Sequence, residues 1–208
     1  WEDVRFDGKP HRSLMAFLGM AERTVKSGSA GKIFSITGWK IGWMIASGAL
    51  GTALARAHQF LTYASAPPLQ WAVAEGLTLP DALLDEQRGG WANARERLRD
   101  GLRRAGFHVL PNAATWFLNV DLGKSGVALR DEEFCEQAVT QVGVAAIPVS
   151  AFYEGVQRPR DIVRFCFTKP AEMLEKILGG KMNRFFGENC LIEQPWVKDD
   201  KTTMAKLK

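Results

Sequence analysis

A lysine at the end of a glycine-rich run is the first feature of the sequence that could carry chemistry. Lys32 closes the segment Gly-Ser-Ala-Gly-Lys, and small and apolar residues surround it. Burial in such surroundings disfavours the charged form of a lysine. A neutral amine can attack a carbonyl carbon and form a Schiff base. The segment therefore favours a site for a carbonyl compound.

Two flanking residues could bind a phosphate near that amine. Ser29 offers a hydroxyl donor and Lys40 a compact cation, while Gly28 and Gly31 would let a ligand approach the backbone. A single lysine after a glycine is more often a solvated surface residue, and Gly-Trp pairs often only pack. Spacing alone leaves both interpretations open.

Arg164 is the second candidate, because it is the one charge inside the apolar run IVRFCF. A buried guanidinium needs an anionic partner, since an unpaired buried charge is costly. Its planar fork matches a carboxylate in a bidentate way. The partner could be a ligand carboxylate or an internal Asp or Glu, and the run by itself favours the internal pair.

Composition places these residues in an ordinary globular chain. Of its 208 residues 46% are apolar and 24% are charged, and the net charge of +4 suits an anionic ligand such as a phosphate cofactor. There is no basic run that would indicate nucleic acid and no apolar stretch long enough for a membrane helix. The three cysteines have no metal-site spacing, so we predict no metal and a reducing, cytoplasmic compartment.

Periodicity predicts an α/β chain with a boundary near residues 86–91. Before it, a turn-rich loop (2–12) leads to a short helix or an apolar loop that packs down (13–20). A strand (23–27), a small-residue loop (28–32), a buried strand (41–46) and two helices (48–64 and 69–78) follow. After it, we expect a helix (91–105), two strands (107–110 and 115–120) and a second helix (131–142). Two further strands (144–148 and 162–167) and a third helix (170–178) follow. The domains are thus 1–88, 89–180 and an atypical tail, 181–208.

The lysine segment resembles a known motif. Its sequence SGSAGKIFSITGWKIGW fits S-x-x-K-x-F-S-x-T-G-W-[KR]-x-G-W, the cofactor-lysine motif of fold-type I, pyridoxal-phosphate-dependent aminotransferases of the kynurenine, glutamine and methionine type. The resemblance implies that Lys32 holds pyridoxal 5′-phosphate as an aldimine and that Ser29 and Lys40 bind its phosphate. Tyr63, in LTYASAPPLQ, matches an aromatic residue that reaches into the partner subunit's active site.

A second resemblance lies far downstream. The segments VAAIPVSAFY and IVRFCFTK are similar to the ending of the same family, and NAATWF is similar to its P-x-x-G-T-Y-F, with Ala114 where the family has glycine. By this resemblance Arg164 binds the α-carboxylate of the amino-acid substrate. The likeness covers about residues 1–178.

The family resemblance implies the C-terminal part of a large cofactor-binding domain followed by a small α+β domain. The activity expected is amino transfer from an L-amino acid to a 2-oxo acid in a homodimer. Alternatives are a cysteine-conjugate β-lyase, a non-catalytic truncated remnant and a generic phosphate-binding domain, although the last leaves Arg164 unexplained.

The chain is interpreted as a fragment. Trp1-Glu2 aligns with the family's Tyr-Glu pair, so the aspartate that pairs with the pyridine nitrogen would lie just upstream. Trp1 offers an indole N–H but no hydroxyl at that tyrosine position. We therefore expect the isolated chain to bind the cofactor weakly and to turn over poorly or not at all.

Overall fold

The computed structural model describes residues 1–155 and 157–168, together with the backbone of 195–196 and 199–203. The chain divides into two compact units, Trp1–Arg88 and Gly89–Lys208. The helix predicted at 170–178 lies outside the described residues. Within the 181–208 tail, two short strands pair antiparallel, β7 (Pro195–Trp196) and β8 (Asp199–Thr203).

The first unit is built around one antiparallel strand pair. Strands β1 (Lys26–Ser29) and β2 (Gly42–Ile45) pair with Ser29 opposite Gly42. A short helix, α1 (Ala30–Ile33), and a 3-10 turn at Thr37–Trp39 connect them. The predicted loop at 28–32 is therefore wrong, because its first two residues belong to β1 and the rest to α1.

Two further predictions for this unit need correction. The strand at 41–46 exists as β2, but Gly42, Met44 and Ile45 are exposed rather than buried. Of the two alternatives for 13–20, the structure has a short helix, of the 3-10 type and limited to Leu14–Ala16, and the segment does not pack down, since Leu18 is fully exposed. Pairing with β1 satisfies the backbone of β2 without covering both of its faces.

Three longer helices follow in the chain, α2 (Gly48–Leu61), α3 (Pro67–Gly76) and α4 (Asp81–Arg104). The third was predicted to begin at residue 91 and begins ten residues earlier. The predicted boundary near residues 86–91 falls inside this helix, which continues through Gly89 and Gly90. Only α4 crosses the boundary between the two units.

The second unit is a four-stranded antiparallel sheet with the helix α5 (Asp131–Val142). Its strands lie in the order β3-β4-β6-β5, and their bounds are His108–Val109, Phe117–Asp121, Ile162–Cys166 and Ile147–Pro148. Three phenylalanine rings meet in its core, Phe107, Phe134 and Phe165, with centroids 6.0 to 6.5 Å apart. The alternation of β4 and β6 sends one face of each strand into this core.

Within the described part of the chain, no helix combines the length and the apolar character needed to cross a bilayer.

Candidate functional site

Lys32 lies in the short helix α1 and lines a cavity of about 190 Å³. The side chain is half-buried, and its Nζ lies 5.4 Å from the centre of the Trp1 ring. Ser29 lines the same cavity, as do Lys26 and Trp43. The structure thus brings an amine and a hydroxyl to one concave surface.

Close backbone contacts hold α1 in place. Ala30 donates its N–H to the Ile41 carbonyl at 3.1 Å, and the Thr37 hydroxyl donates to the Gly31 carbonyl at 3.0 Å. Ala30 and Ile41 are buried together with Val73 of α3. These bonds join the two residues before Lys32 to residues after it, so its position follows from the backbone as well as from packing.

Gly28 permits the close contact of β1 with an aromatic ring. A Cβ atom at this residue would lie 2.2 Å from Cε2 of Trp43, so no side chain fits there. Trp43 therefore packs directly on the backbone of β1, next to the cavity. This contact needs glycine for space and not for an unusual backbone angle.

Ser29 occupies the N-cap of α1, and its hydroxyl makes no capping hydrogen bond. The residue is exposed. A serine hydroxyl can donate to an anion. Ser29 thus lies where a ligand in the cavity could reach it.

Lys40 lies elsewhere. It follows the 3-10 turn Thr37–Trp39, is exposed, and has a left-handed backbone with φ of 56°. Of the described residues that line the Lys32 cavity, Lys40 is not one. The structure brings Ser29 and Lys32 together and leaves Lys40 outside that group.

An acidic residue at the cavity was missed by the motif. Glu2 lines it, and its carboxylate lies 2.6 Å from Nζ of Lys26. The hydrogen bond from Lys26 lowers the pKa of Glu2, although partial burial opposes this effect. Lys26 is 24 residues away in the sequence, and neither residue type is unusual, so no sequence signal would have found the pair.

Arg164 lies at the centre of the second unit's sheet. It is opposite Asn119 of β4 and Ile147 of β5, and its Nε donates to the Asn119 side-chain oxygen at 3.4 Å. The guanidinium carbon lies 5.1 Å from the Phe117 ring centre and 4.6 Å from that of Phe152. Two rings and an amide therefore surround the half-buried cation.

No internal ion pair accounts for Arg164 within the described residues, where no carboxylate lies in salt-bridge range of it. The alternative of an internal Asp or Glu partner thus finds no support in this part of the chain. Asn119 and Phe117 were not singled out from the sequence. Strand register alone places them beside Arg164.

Tyr63 follows α2 and is 81% exposed, with a left-handed φ of 64°. Phe60 and Leu61 at the end of α2 are as exposed as Tyr63. Tyr63 is not among the described residues lining the Lys32 cavity. Three adjacent exposed apolar groups at a helix end are typical of a surface that meets another chain.

The described residues contain no cluster of three or more His, Cys, Asp or Glu side chains suited to hold a metal ion.

Comparison with known proteins gives a consistent picture. The model of the family "Aminotransferase class I and II" matches residues 3–179. A probable N-succinyldiaminopimelate aminotransferase of Mycobacterium tuberculosis is 38% identical over 186 residues, which is 86% of this chain and 47% of the relative. A kynurenine–oxoglutarate transaminase of Dictyostelium discoideum is 36% identical, covering 85% of this chain and 45% of the relative.

Solved structures agree with the sequence matches. The M. tuberculosis N-succinyldiaminopimelate aminotransferase superimposes with a TM-score of 0.80 at 39% identity, covering 86% of this chain and 46% of its own. An Escherichia coli protein with a methionine aminotransferase function gives 0.81 at 30% identity, covering 88% and 47%. The chain spans about half the length of the relatives it matches.

Proposed function

Because the chain belongs to the class I and II aminotransferase family, whose members use pyridoxal 5′-phosphate, we propose that it supplies the cofactor lysine and the substrate-carboxylate arginine of a transaminase. The reaction is the transfer of an amino group from an L-amino acid to a 2-oxo acid. The observation that carries the proposal is that Lys32 and Ser29 line one cavity, as an amine and a phosphate donor would.

The donor set fits the cofactor. An aldehyde needs an amine that can reach it, and the half-buried Lys32 provides one at the cavity wall. A phosphate needs N–H and O–H donors, and the Ser29 hydroxyl is not engaged in capping α1. Lys40 is proposed as a second phosphate ligand, although it lies outside the lining of this cavity. When bound, pyridoxal phosphate supplies the electron sink for bond cleavage at the substrate Cα.

Lys32 is proposed to act first as a nucleophile and then as the group that moves the proton. With the cofactor bound, the Lys32 Nζ would hold its aldehyde carbon, and once released by the substrate it would be the base that takes the proton from the substrate Cα. The neighbouring Lys26 lines the same cavity and forms an ion pair with Glu2 at 2.6 Å. Of the two lysines at the cavity, Lys32 is the one at the lysine position of the motif, and it is the one proposed to react.

Arg164 is proposed to bind the α-carboxylate of the amino acid and of the 2-oxo acid. The two rings against its guanidinium restrict its plane, and Asn119 accepts a hydrogen bond from Nε. The remaining N–H groups of the fork can then meet both carboxylate oxygens. A fixed fork orients the substrate Cα for proton transfer.

The assembly is proposed to be a cytoplasmic homodimer in which Tyr63 contributes to the partner's active site. Its 81% exposure next to exposed Phe60 and Leu61 supports an interface role.

Borohydride reduction in the presence of pyridoxal phosphate tests the cofactor site. Reduction followed by peptide mass mapping should give one phosphopyridoxyl adduct, on Lys32. Lys26 is an internal control, because it lines the same cavity but is paired with Glu2. The variant Lys32→Arg should abolish labelling, and Lys26→Arg should retain it. Adducts on Lys26, or scattered over many lysines, would contradict the proposal.

A further inference from the structure

We propose that Asp131 is a positioning residue for Arg164, acting through the backbone that carries Phe152. The inference rests on the proposed role of Arg164 in carboxylate binding. Asp131 is the first residue of α5 and is not among the described partners of the guanidinium, which are Asn119, Phe117 and Phe152. Its effect runs through Ser150, in the 3-10 turn Val149–Phe152.

The Asp131 carboxylate is buried, with 1% of the residue exposed. Its two oxygens have different partners. Oδ1 accepts the N–H of Glu132 at 3.0 Å, and Oδ2 accepts the N–H of Ser150 at 2.8 Å. A buried carboxylate is tolerated only when donors satisfy its oxygens. The bond to Ser150, which is itself 1% exposed, therefore ties α5 to the 3-10 turn.

Helix capping does not explain this arrangement. The side chain of Glu133 already accepts the backbone N–H of Arg130 at 3.1 Å, which closes the start of α5. A carboxylate that served only the helix N-terminus would have its acceptors directed at α5. Instead, one oxygen of Asp131 bonds a residue 19 positions further along the chain.

The 3-10 turn is buried at its start and exposed at its end, where Phe152 lies. The turn follows β5, a two-residue edge strand that pairs with β6 through Ile147 and Pro148. Val149 and Ser150 are buried, whereas Phe152 is 59% exposed. Because Phe152 is exposed, packing contributes little to its position, which depends on the backbone of the turn.

The fixed ring matters because it lies over the guanidinium. Phe152 is the nearer of the two rings, at 4.6 Å against 5.1 Å for Phe117. Phe117 pairs with Cys166 of β6, and its carbonyl accepts a hydrogen bond from the Asn112 side chain at 2.8 Å, so its backbone has anchors of its own. The bond from Ser150 to Asp131 therefore acts on the ring of Phe152 and not on that of Phe117. Loosening the turn should free the guanidinium plane and weaken its grip on a carboxylate.

The test detects the position of the Phe152 ring through an NMR resonance of Arg164 and needs no cofactor. An aromatic ring above a guanidinium shifts the NMR resonance of Arg164 Nε–H. The change of the resonance in Phe152→Leu measures the complete loss of this effect. Asp131→Asn should move the resonance by more than half as much. Its amide oxygen can accept only one of the N–H groups of Glu132 and Ser150, and its NH₂ group then faces the other. Glu136→Gln, an exposed acidic residue of the same helix, is the matched control and should leave the resonance unmoved.

A second measurement follows the same resonance during titration with pyruvate, a simple 2-oxo acid. Asp131→Asn should weaken pyruvate binding about fivefold, the equivalent of one exposed cation–π contact. Wild-type chain that fails to bind pyruvate would contradict the role of Arg164, while the displacement in Asp131→Asn would still support the anchor. A wild-type position of the resonance in Asp131→Asn would overturn the anchor, whatever pyruvate does.

Hydrogen exchange of the wild-type chain covers the case in which Asp131→Asn does not fold. The Ser150 amide should be among the slowly exchanging amides of the second unit, because it donates to a buried carboxylate. Exchange at the rate of an unprotected amide would overturn the inference.

Discussion

The two units of the chain differ in where they keep their apolar side chains. Among the described residues, the first unit buries four hydrophobic residues and exposes fifteen large ones, while the second buries eighteen and exposes four. The second unit thus has a core of its own, and the first does not have one of comparable size. The proposed cofactor lysine lies in the unit with the smaller core, and the proposed carboxylate arginine lies in the other.

This difference indicates two ways of positioning a functional side chain. Arg164 is held by the four-stranded sheet, whose register places Asn119 and Phe117 beside it. Lys32 is held mainly by local backbone bonds and by a glycine contact with Trp43. A large exposed apolar surface is typical of a region that another chain covers. We therefore expect Lys32 to be the more easily disturbed of the two.

The largest expected effect comes from the core of the second unit. Phe165 is 1% exposed and contacts Phe107 and Phe134. Phe165→Ala should lower the free energy of unfolding of this unit by about 3–5 kcal/mol, because it removes a ring and leaves a cavity. Hydrogen exchange read residue by residue should show the loss of protection in 107–166. Val73→Ala, the matched change in the first unit, should cost less, and an equal loss across 1–88 in Phe165→Ala would break the comparison.

The next effect concerns the glycine contact at the lysine cavity. Gly28→Ala places a Cβ atom 2.2 Å from the Trp43 ring, so the ring or β1 must move, at a cost of about 1–3 kcal/mol. Labelling of Lys32 by pyridoxal phosphate and borohydride should fall sharply. Gly38→Ala is the control, since a Cβ atom there meets nothing within 4 Å. Unchanged labelling in Gly28→Ala would show that Trp43 does not shape the cavity.

Regular elements of the second unit were predictable because several signals agree there. The helix Asp131–Val142 was predicted at 131–142 from its acidic first turn and apolar spacing, and the strand predicted at 162–167 is β6. The start of α4 was missed because a domain boundary was expected near residues 86–91, whereas one 24-residue helix crosses that region and its length outweighs the two weak glycine positions.

The site was predictable only as far as its motifs extend. The motif singled out Lys32 and Ser29, which share a cavity, but it also grouped Lys40 with them, and Lys40 does not line that cavity. Asn119 and Phe117 lie beside Arg164 because of strand register. Glu2 meets Lys26 because the fold brings together residues that are distant in sequence. Neither kind of contact can be read from a single sequence.

A smaller effect should appear on acidification of the first unit. The hydrogen bond from Lys26 lowers the pKa of Glu2 below its ordinary value of 4.5. A carboxyl whose pKa is depressed by folding stabilises the fold above its unfolded pKa, and that contribution is lost as the pH falls through the folded pKa. Thermal unfolding between pH 3 and 6 should therefore show a slope that Glu2→Gln reduces. The effect is modest, because both side chains are about one-third exposed, at 31% and 37%.

The paired control for this slope is Asp121 of the second unit. Its pKa is also lowered, chiefly by the hydrogen bond from the backbone N–H of Lys124 and then by the side chain of the same lysine. Asp121→Asn should change the acid response of amides in 108–127, and Glu2→Gln should change that of amides near β1. A single slope shared by both variants would show that the two units unfold together.

The smallest expected effect is a gain in stability at Gly89 and Gly90, where the two units meet in the sequence. Both residues lie inside α4, and a Cβ atom at either would meet nothing within 4 Å. Replacing either by alanine should therefore raise the free energy of unfolding by about 0.4–1 kcal/mol, because alanine loses less backbone entropy on folding. Scanning calorimetry of Gly89→Ala and Gly90→Ala would measure the gain. If either variant is more stable but labels Lys32 less, the glycines are not neutral helix positions. The small core of the first unit would then be only part of the reason why its lysine is easily disturbed.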